Sequence, residues 1–173
     1  GDWAQGLFMP MELPPTLHLV SFQDSLAMPA LNLKENSSYA LKFGGLAAGF
    51  NFSVSYLYGR DGLPVNYYNR ITPVDTMGGV DVKSYMYFPR QHVIGADLAG
   101  AIGSVGVWVE AAAFIPPEEI VVTNDLSAFG MPPTDTVNLE KKPFFKVAAG
   151  LDYTFKGGHY INFQYLHGFV HER

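Results

Sequence analysis

Six residues that can interact with ions or polar solutes recur at alternating positions of segments in which polar and apolar residues alternate. They are Lys42, Asp97, Trp108, Glu110, Lys146 and Asp152. Side chains of an extended strand point alternately to opposite faces, so residues two apart share a face. Charges arranged in this way attract, repel or orient ions without forming covalent bonds. The expected chemistry is therefore electrostatic, with three carboxylates against two ammonium groups.

Motifs for covalent chemistry are missing from the sequence. The chain contains no Cys, which excludes thiolate nucleophiles and Cys-based zinc sites. It has no Gly-x-Ser-x-Gly turn, no phosphate-binding glycine loop and no zinc-protease helix. Glu118 and Glu119 do not match the spacing of a calcium loop. We predict no enzyme activity, no cofactor and no metal site, and the net charge of -5 argues against a nucleic acid partner.

Alternation with a period of two predicts six strands that position these residues. The predicted strands cover 38–46, 50–59, about 80–99, 104–114, 144–155 and 160–169. Strands of about nine to eleven residues are long enough to cross an outer membrane, whereas strands of soluble proteins average about five or six. We expect sequential antiparallel, up-and-down order. Pro89 predicts an irregularity in the third strand, because proline has no N–H to donate to the ladder.

The connections alternate between tight, glycine-rich turns and long segments. The first, third and fifth strands are followed by short turns, and long loops are predicted at about 60–79 and 115–143. The proline-rich segment 1–37 is predicted to be an irregular outer-loop segment, so that the barrel strands occupy 38–173. Short turns at one end and long loops at the other are typical of outer-membrane barrels.

The composition and the two faces predict an all-β, antiparallel, up-and-down transmembrane β-barrel. Hydrophobic residues make up 48% of the chain and charged residues only 16%, and no apolar run is long enough for a transmembrane helix. The residues predicted to face lipid are Val54, Val107, Val147 and Leu151. The six residues on the opposite face either line a water-filled lumen or pair with one another and fill a narrow interior. For Trp108, lining a solute path and filling the interior both stay open.

Four stretches carry a family resemblance. They are YALKFGG at 39–45, FSVSYLYGRDGLP at 52–64, PRQHVIGAD at 89–97 and YINFQYLHGF at 160–169. They resemble hairpins of uncharacterised porin-like outer-membrane β-barrel proteins of Gram-negative bacteria, which implies a channel fold without a defined substrate. The chain departs from such barrels in having six predicted strands where the smallest have about eight, and in ending at His171-Glu172-Arg173. We therefore expect a fragment of a larger barrel, an open sheet with two unpaired edges.

The leading functional hypothesis is a porin-like channel for passive passage of small solutes or ions through the bacterial outer membrane. Its expected partners are outer-membrane lipid and the solutes, and a homo-oligomer is left open. A soluble or secreted β-barrel that binds a small apolar ligand is the alternative, because its strands also alternate between a packed and a solvated face. A barrel enzyme or an adhesin that acts through its loops is a third hypothesis.

Overall fold

The computed structural model describes residues 16–29 and 33–168, and within them the protein is built almost entirely from β-strands. The strands are β1 (His18–Ala27), β2 (Tyr39–Ala47), β3 (Phe50–Arg60), β4 (Val65–Pro73), β5 (Gly79–Tyr87), β6 (Arg90–Ile102), β7 (Val105–Ile115), β8 (Ile120–Asp125), β9 (Thr134–Leu139), β10 (Phe144–Thr154) and β11 (Tyr160–His167). Two short turns of helix complete the elements, α1 (Leu33–Asn36) and a 3-10 turn at Ser127–Phe129. No helix in the described part of the chain has the length and hydropathy to cross a membrane. The all-β prediction is confirmed, whereas the predicted number of about six strands is wrong, since eleven are present.

The strands form two sheets, and the chain divides into two compact units that each contain one sheet. The first unit, called the mixed unit here, comprises 1–37, 60–89 and 118–141, and its sheet has the order β1-β5-β4-β8-β9. The second, the meander unit, comprises 38–59, 90–117 and 142–173, and its sheet has the order β11-β10-β7-β6-β3-β2. Neither sheet closes into a barrel among the described residues.

The meander sheet consists of five of the predicted strands and of β6, which holds the second half of the predicted third strand, in the sequential order that the up-and-down prediction requires. Antiparallel pairs join β2 to β3, β6 to β7, β7 to β10 and β10 to β11, and β3 is the neighbour of β6. The β2–β3 turn places both Ala48 and Gly49 at positive φ, 50° and 82°. Two positive φ angles in a two-residue hairpin loop match the twist of the flanking strands and favour glycine. The predicted order is confirmed for these six strands.

Four of the five strands of the mixed sheet lie where the sequence predicted irregular segments, so that prediction is corrected, while β5 lies within the predicted third strand. The predicted loop at 60–79 contains β4, the loop at 115–143 contains β8 and β9, and the segment 1–37 contains β1. Positions 1–15 and 30–32 of that segment, and the predicted end of the sixth strand at Phe169, lie outside the described residues. Two of the pairs in this sheet, β1 with β5 and β4 with β8, are parallel. Parallel partners are distant in sequence and are not joined by a hairpin, so no turn motif in the sequence indicates which strands will pair.

The break at Pro89 is larger than the predicted irregularity. One strand ends at Tyr87, the next begins at Arg90, and the two belong to different sheets. The backbone here is held by Arg60, whose guanidinium donates to the carbonyl of Phe88 at 2.9 Å. Proline cannot donate to a ladder, which explains why pairing stops here. The predicted irregularity is confirmed, and the single strand predicted over 80–99 is wrong.

The two units differ in what they bury. The described hydrophobic side chains that are buried all lie in the mixed unit: Val65, Ile71, Val80, Val82, Met86, Ile120 and Val122. Leu17, Leu19, Phe22, Leu126 and Phe129 pack against the centre of this core. In the described part of the meander unit, by contrast, no Ala, Val, Ile, Leu, Met, Phe, Tyr or Trp side chain is buried.

Candidate functional site

The register of the meander sheet places the predicted charged residues on one face, called the polar face here. Residues directly opposite each other in an antiparallel pair share a face. Asp97 is opposite Glu110, and Glu110 is opposite Ala148. Lys146 is two residues from Ala148 and therefore points the same way. Lys42 joins this group through its ammonium nitrogen, which lies 3.4 Å from the Asp97 carboxylate.

Trp108 and Asp152 lie on the same face, each against a glycine of the neighbouring strand. Trp108 is opposite Gly150, and Asp152 is opposite Gly106. A Cβ added to Gly150 would approach the indole to 2.6 Å, and one added to Gly106 would approach the Asp152 carboxylate to 2.7 Å. A Cβ at either glycine would therefore force the neighbouring side chain to shift from its present position. The indole lies against the sheet itself, with the glycine leaving room for it.

Asp97 is held in place by two partners. Besides the contact with Lys42, its carboxylate accepts a hydrogen bond from the hydroxyl of Ser53. Ser53 is buried, while the side chains of Lys42 and Asp97 remain 66% and 41% exposed. The Ser53 hydroxyl thus orients a carboxylate that still faces solvent. This arrangement leaves Asp97 able to interact with dissolved ions.

Lys146 is positioned by an aromatic pair that the sequence analysis did not assign. Phe114 and Phe144 lie opposite each other and stack, with 4.9 Å between ring centroids and 6° between ring planes. The Lys146 ammonium lies 5.0 Å from the Phe114 centroid and 5.9 Å from the Phe144 centroid. A cation over a ring face is attracted by the ring quadrupole. The only sequence signal for this arrangement is that both strands have a phenylalanine at the same end.

Between these groups lies a cavity of about 340 Å³. Its charged and polar lining includes Lys42, Asp97, Glu110, Lys146 and Ser55, and most of the remaining lining is glycine and alanine. Small residues leave space above the sheet, and the charges of both signs can orient a small ion or polar solute. Among the described residues no group of His, Asp or Glu side chains is arranged to hold a metal ion.

The opposite face of the same sheet is apolar and exposed, and it is called the apolar face here. All four residues predicted to face lipid lie on it, since Leu151 is opposite Val107, Val147 is opposite Ala111 and Val54 is opposite Phe43. Its exposed large side chains come from all six strands: Tyr39, Leu41, Phe43, Phe52, Val54, Tyr56, Ile94, Leu98, Ile102, Val109, Phe145, Leu151, Ile161, Phe163 and Tyr165. Soluble monomers rarely expose a contiguous apolar surface of this extent.

Aromatic pairs lie at both ends of the apolar face. At the end opposite the tight turns, the rings of Tyr58 and His92 lie 4.7 Å apart and tilted by 32°, and the Tyr56 hydroxyl lies 2.8 Å from Nδ1 of His92. At the end with the tight turns, Tyr153 and Phe155 meet edge to face at 4.7 Å. Tyrosines near the ends of strands are typical of membrane–water interfaces, although Phe43 and Phe163 show that aromatic side chains also lie midway along this face.

The mixed unit holds polar groups that the sequence analysis missed. The Tyr68 hydroxyl donates to Asp125 at 2.6 Å, and Nε of Arg70 lies 3.7 Å from the same carboxylate. Hydrogen bonds from the Ser127 side chain, from Tyr68 and from the Ser127 backbone, together with the charge of Arg70, lower the pKa of Asp125 to about 2. The bond to Asp125 and burial raise the pKa of Tyr68. Tyr68 and Asp125 are 57 residues apart, so no local sequence pattern could have predicted that they bond.

A second polar group in the mixed unit is buried. The side chains of Asn66 and Ser84 both donate to Oδ1 of Asn69 at 2.6 Å, and Asn69 donates to Asn124 at 2.9 Å. No buried side-chain nitrogen or oxygen in the described part of the chain lacks a hydrogen-bond partner. A fully satisfied buried network fixes one arrangement of the core. We therefore assign it a structural role.

Comparison with known proteins adds no relative. The chain matches no protein-family model, no curated protein and no solved structure. The porin-like resemblance of the four stretches stays a prediction from sequence. A functional argument therefore depends on the two faces of the meander sheet.

Proposed function

We propose that the meander sheet is part of an outer-membrane β-barrel and that its polar face borders an aqueous path for small solutes or ions. The observation that carries this proposal is the apolar face, which is exposed on six neighbouring strands, while no hydrophobic side chain is buried among the described residues of that unit. Exposed apolar surface is unfavourable in water and favourable in hydrocarbon. A soluble barrel that binds an apolar ligand would need the same residues to pack a core, and they do not.

Strand length supports the same proposal. The six meander strands contain 8 to 13 residues. A strand of about nine residues, rising about 3.3 Å per residue at a tilt of about 40°, spans close to the 25 Å apolar band of an outer-membrane barrel. The tight turns lie at one end of the sheet, and every strand end that leads to the mixed unit lies at the other.

Closure of such a barrel needs more strands than the six of the meander sheet, since the smallest outer-membrane barrels have about eight. The strands β2 and β11 each have one edge without a partner in the described sheet. Open edges do not occur in the hydrocarbon region, because unpaired N–H and C=O groups there cost several kcal/mol each. We therefore expect additional strands to pair with both edges when the protein is in the membrane.

The polar face supports passage of polar solutes rather than a sealed interior. Small residues leave a cavity between Lys42, Asp97, Glu110 and Lys146, and the indole of Trp108 lies against the sheet. Fixed charges on a water-filled path set ion preference. Three carboxylates and two ammonium groups on this face imply weak selectivity for cations.

Conductance in planar bilayers, measured with protein purified in detergent, tests this proposal. We expect ion conductance from the full-length protein with its barrel closed, and a shift of the reversal potential towards cations for Lys146→Glu, because the substitution replaces a positive charge on the path by a negative one. Adding Lys42→Glu should increase the shift, since it also leaves Asp97 without its cationic partner. Lys83→Glu is the matched control, because Lys83 lies in the mixed sheet. An inserted protein without current, or with a reversal potential that ignores both polar-face substitutions, would contradict the channel function.

A further inference from the structure

A second cavity, of about 500 Å³, lies within the mixed unit and has no part in the proposed channel. Its lining combines two tyrosines, Tyr67 and Tyr87, with two carboxylates, Glu118 and Glu119. The remaining lining residues, Ala27, Ile120 and Val121, are apolar. A ligand for this site must therefore suit aromatic rings, carboxylates and apolar side chains together.

The two tyrosines meet because of an irregularity in the sheet. In the pairing of β4 with β5, Asn66 is opposite Met86 and Tyr68 is opposite Tyr85, so Tyr67 is an extra residue without a partner position. Such bulges redirect a side chain and occur often beside functional sites. The redirected Tyr67 ring meets Tyr87 with 5.5 Å between centroids and 82° between planes. Two rings at a right angle form a corner with aromatic surface on both sides.

The charge of this cavity has a single sign. Glu118 and Glu119 contribute two carboxylates, and the described residues that line the cavity include no Lys, Arg or His. The negative charge also reaches the aromatic corner, since burial and, secondly, the charge of Glu118 raise the pKa of Tyr87. The cavity is therefore complementary to a cation and unfavourable for an anion.

We infer that this cavity binds a small organic ammonium ion, with the alkylated cation against the rings of Tyr67 and Tyr87 and its charge balanced by Glu118 and Glu119. An aromatic face attracts a cation that lies within about 6 Å, and quaternary ammonium groups are recognised by aromatic cages of this kind. A hydrated inorganic cation fits less well, because five of the seven lining residues are apolar or aromatic and offer few oxygen ligands to replace its water.

Calorimetric titration of the full chain in detergent with choline and with 3,3-dimethyl-1-butanol, its neutral isostere, tests the inference. We expect choline to bind at least about fivefold more tightly than the alcohol, because only the cation gains from the rings and carboxylates. Sodium chloride at the same ionic strength should not compete with choline. Similar affinity for the alcohol would reduce the site to an apolar depression, and the absence of choline binding would overturn the inference.

Substitutions of the lining residues test whether choline binds in this cavity. Glu118→Gln combined with Glu119→Gln, and separately Tyr67→Leu, should each weaken choline binding by at least about fivefold, whereas Tyr67→Phe keeps the ring and should retain it. Matched controls are Glu140→Gln and Tyr85→Leu, which change a carboxylate and a tyrosine of the same unit outside the cavity. Near-ultraviolet circular dichroism checks the fold of each variant. Choline binding that survives both the Gln pair and Tyr67→Leu would overturn the inference, and conductance should not change in any of these variants, so the two proposals fail separately.

Discussion

The two sheets of this protein have strands of similar pattern and opposite relations to solvent. In the mixed sheet the alternating apolar side chains are buried, with Ile71, Val80 and Val82 at most 1% exposed. In the meander sheet equivalent positions are open, with Phe43 69% and Phe163 64% exposed. Alternation therefore tells which side chains share a face, and it does not tell what covers that face.

This difference implies two sources of stability within one chain. The mixed unit buries apolar surface within itself, as a domain that folds in water does. The meander unit gains little from burial within the described residues, so its strands depend on backbone pairing and on a surrounding medium that accepts apolar side chains. Substitutions at matched positions of the two sheets test this contrast.

The largest effect is expected in the core of the mixed unit. Ile71→Ala should lower its free energy of unfolding by about 2–5 kcal/mol, because the substitution removes buried methyl groups and leaves a cavity. Hydrogen exchange followed by mass spectrometry over β4 and β5 measures the loss. Val74→Ala, at a position 50% exposed in the same unit, is the control and should change protection little. Equal effects of the two substitutions would contradict the assignment of the core.

The second effect concerns the apolar face of the meander sheet. Val54→Arg should cost about 2–4 kcal/mol in a folding titration in lipid vesicles, the range for a cation near the membrane midplane. Ala148→Arg, on the polar face of the same sheet, should cost much less because the guanidinium can stay in water. Ser53 is a poor control, since it is buried and bonded to Asp97. Equal penalties on both faces would indicate that the apolar face packs against protein.

The smallest effect is a pH dependence of the mixed unit. Because the pKa of Asp125 is about 2 in the folded protein, and about 3.9 is usual for an unfolded chain, this carboxylate stabilises the fold above pH of about 4. The contribution should disappear as the pH falls from about 4 to about 2. Asp125→Asn should remove this part of the acid sensitivity, and Tyr68→Phe should reduce it. Unfolding of the variants at several pH values measures it, and an unchanged slope in Asp125→Asn would contradict the assignment.

Much of the meander sheet could be predicted from the sequence because its organisation is local. Each hairpin joins neighbours in the chain, and the period of two decides which side chains share a face. The polar grouping of Lys42, Asp97, Glu110 and Lys146 followed from that parity alone. The contact of Lys146 with Phe114 and Phe144 did not, because it depends on the register between β7 and β10.

The amino-acid pattern was enough to predict the all-β class, the meander strands with their two faces and an irregularity at Pro89. It did not predict that the chain changes sheets at Pro89, nor that the segments predicted as loops supply four of the five strands of a second sheet with the buried core, because both depend on tertiary pairing. The parallel pairs β1–β5 and β4–β8 of that sheet and the Tyr68–Asp125 bond join residues that no short segment connects. Alternation acts over a few residues along one strand, whereas parallel pairing and burial depend on which distant strand arrives alongside.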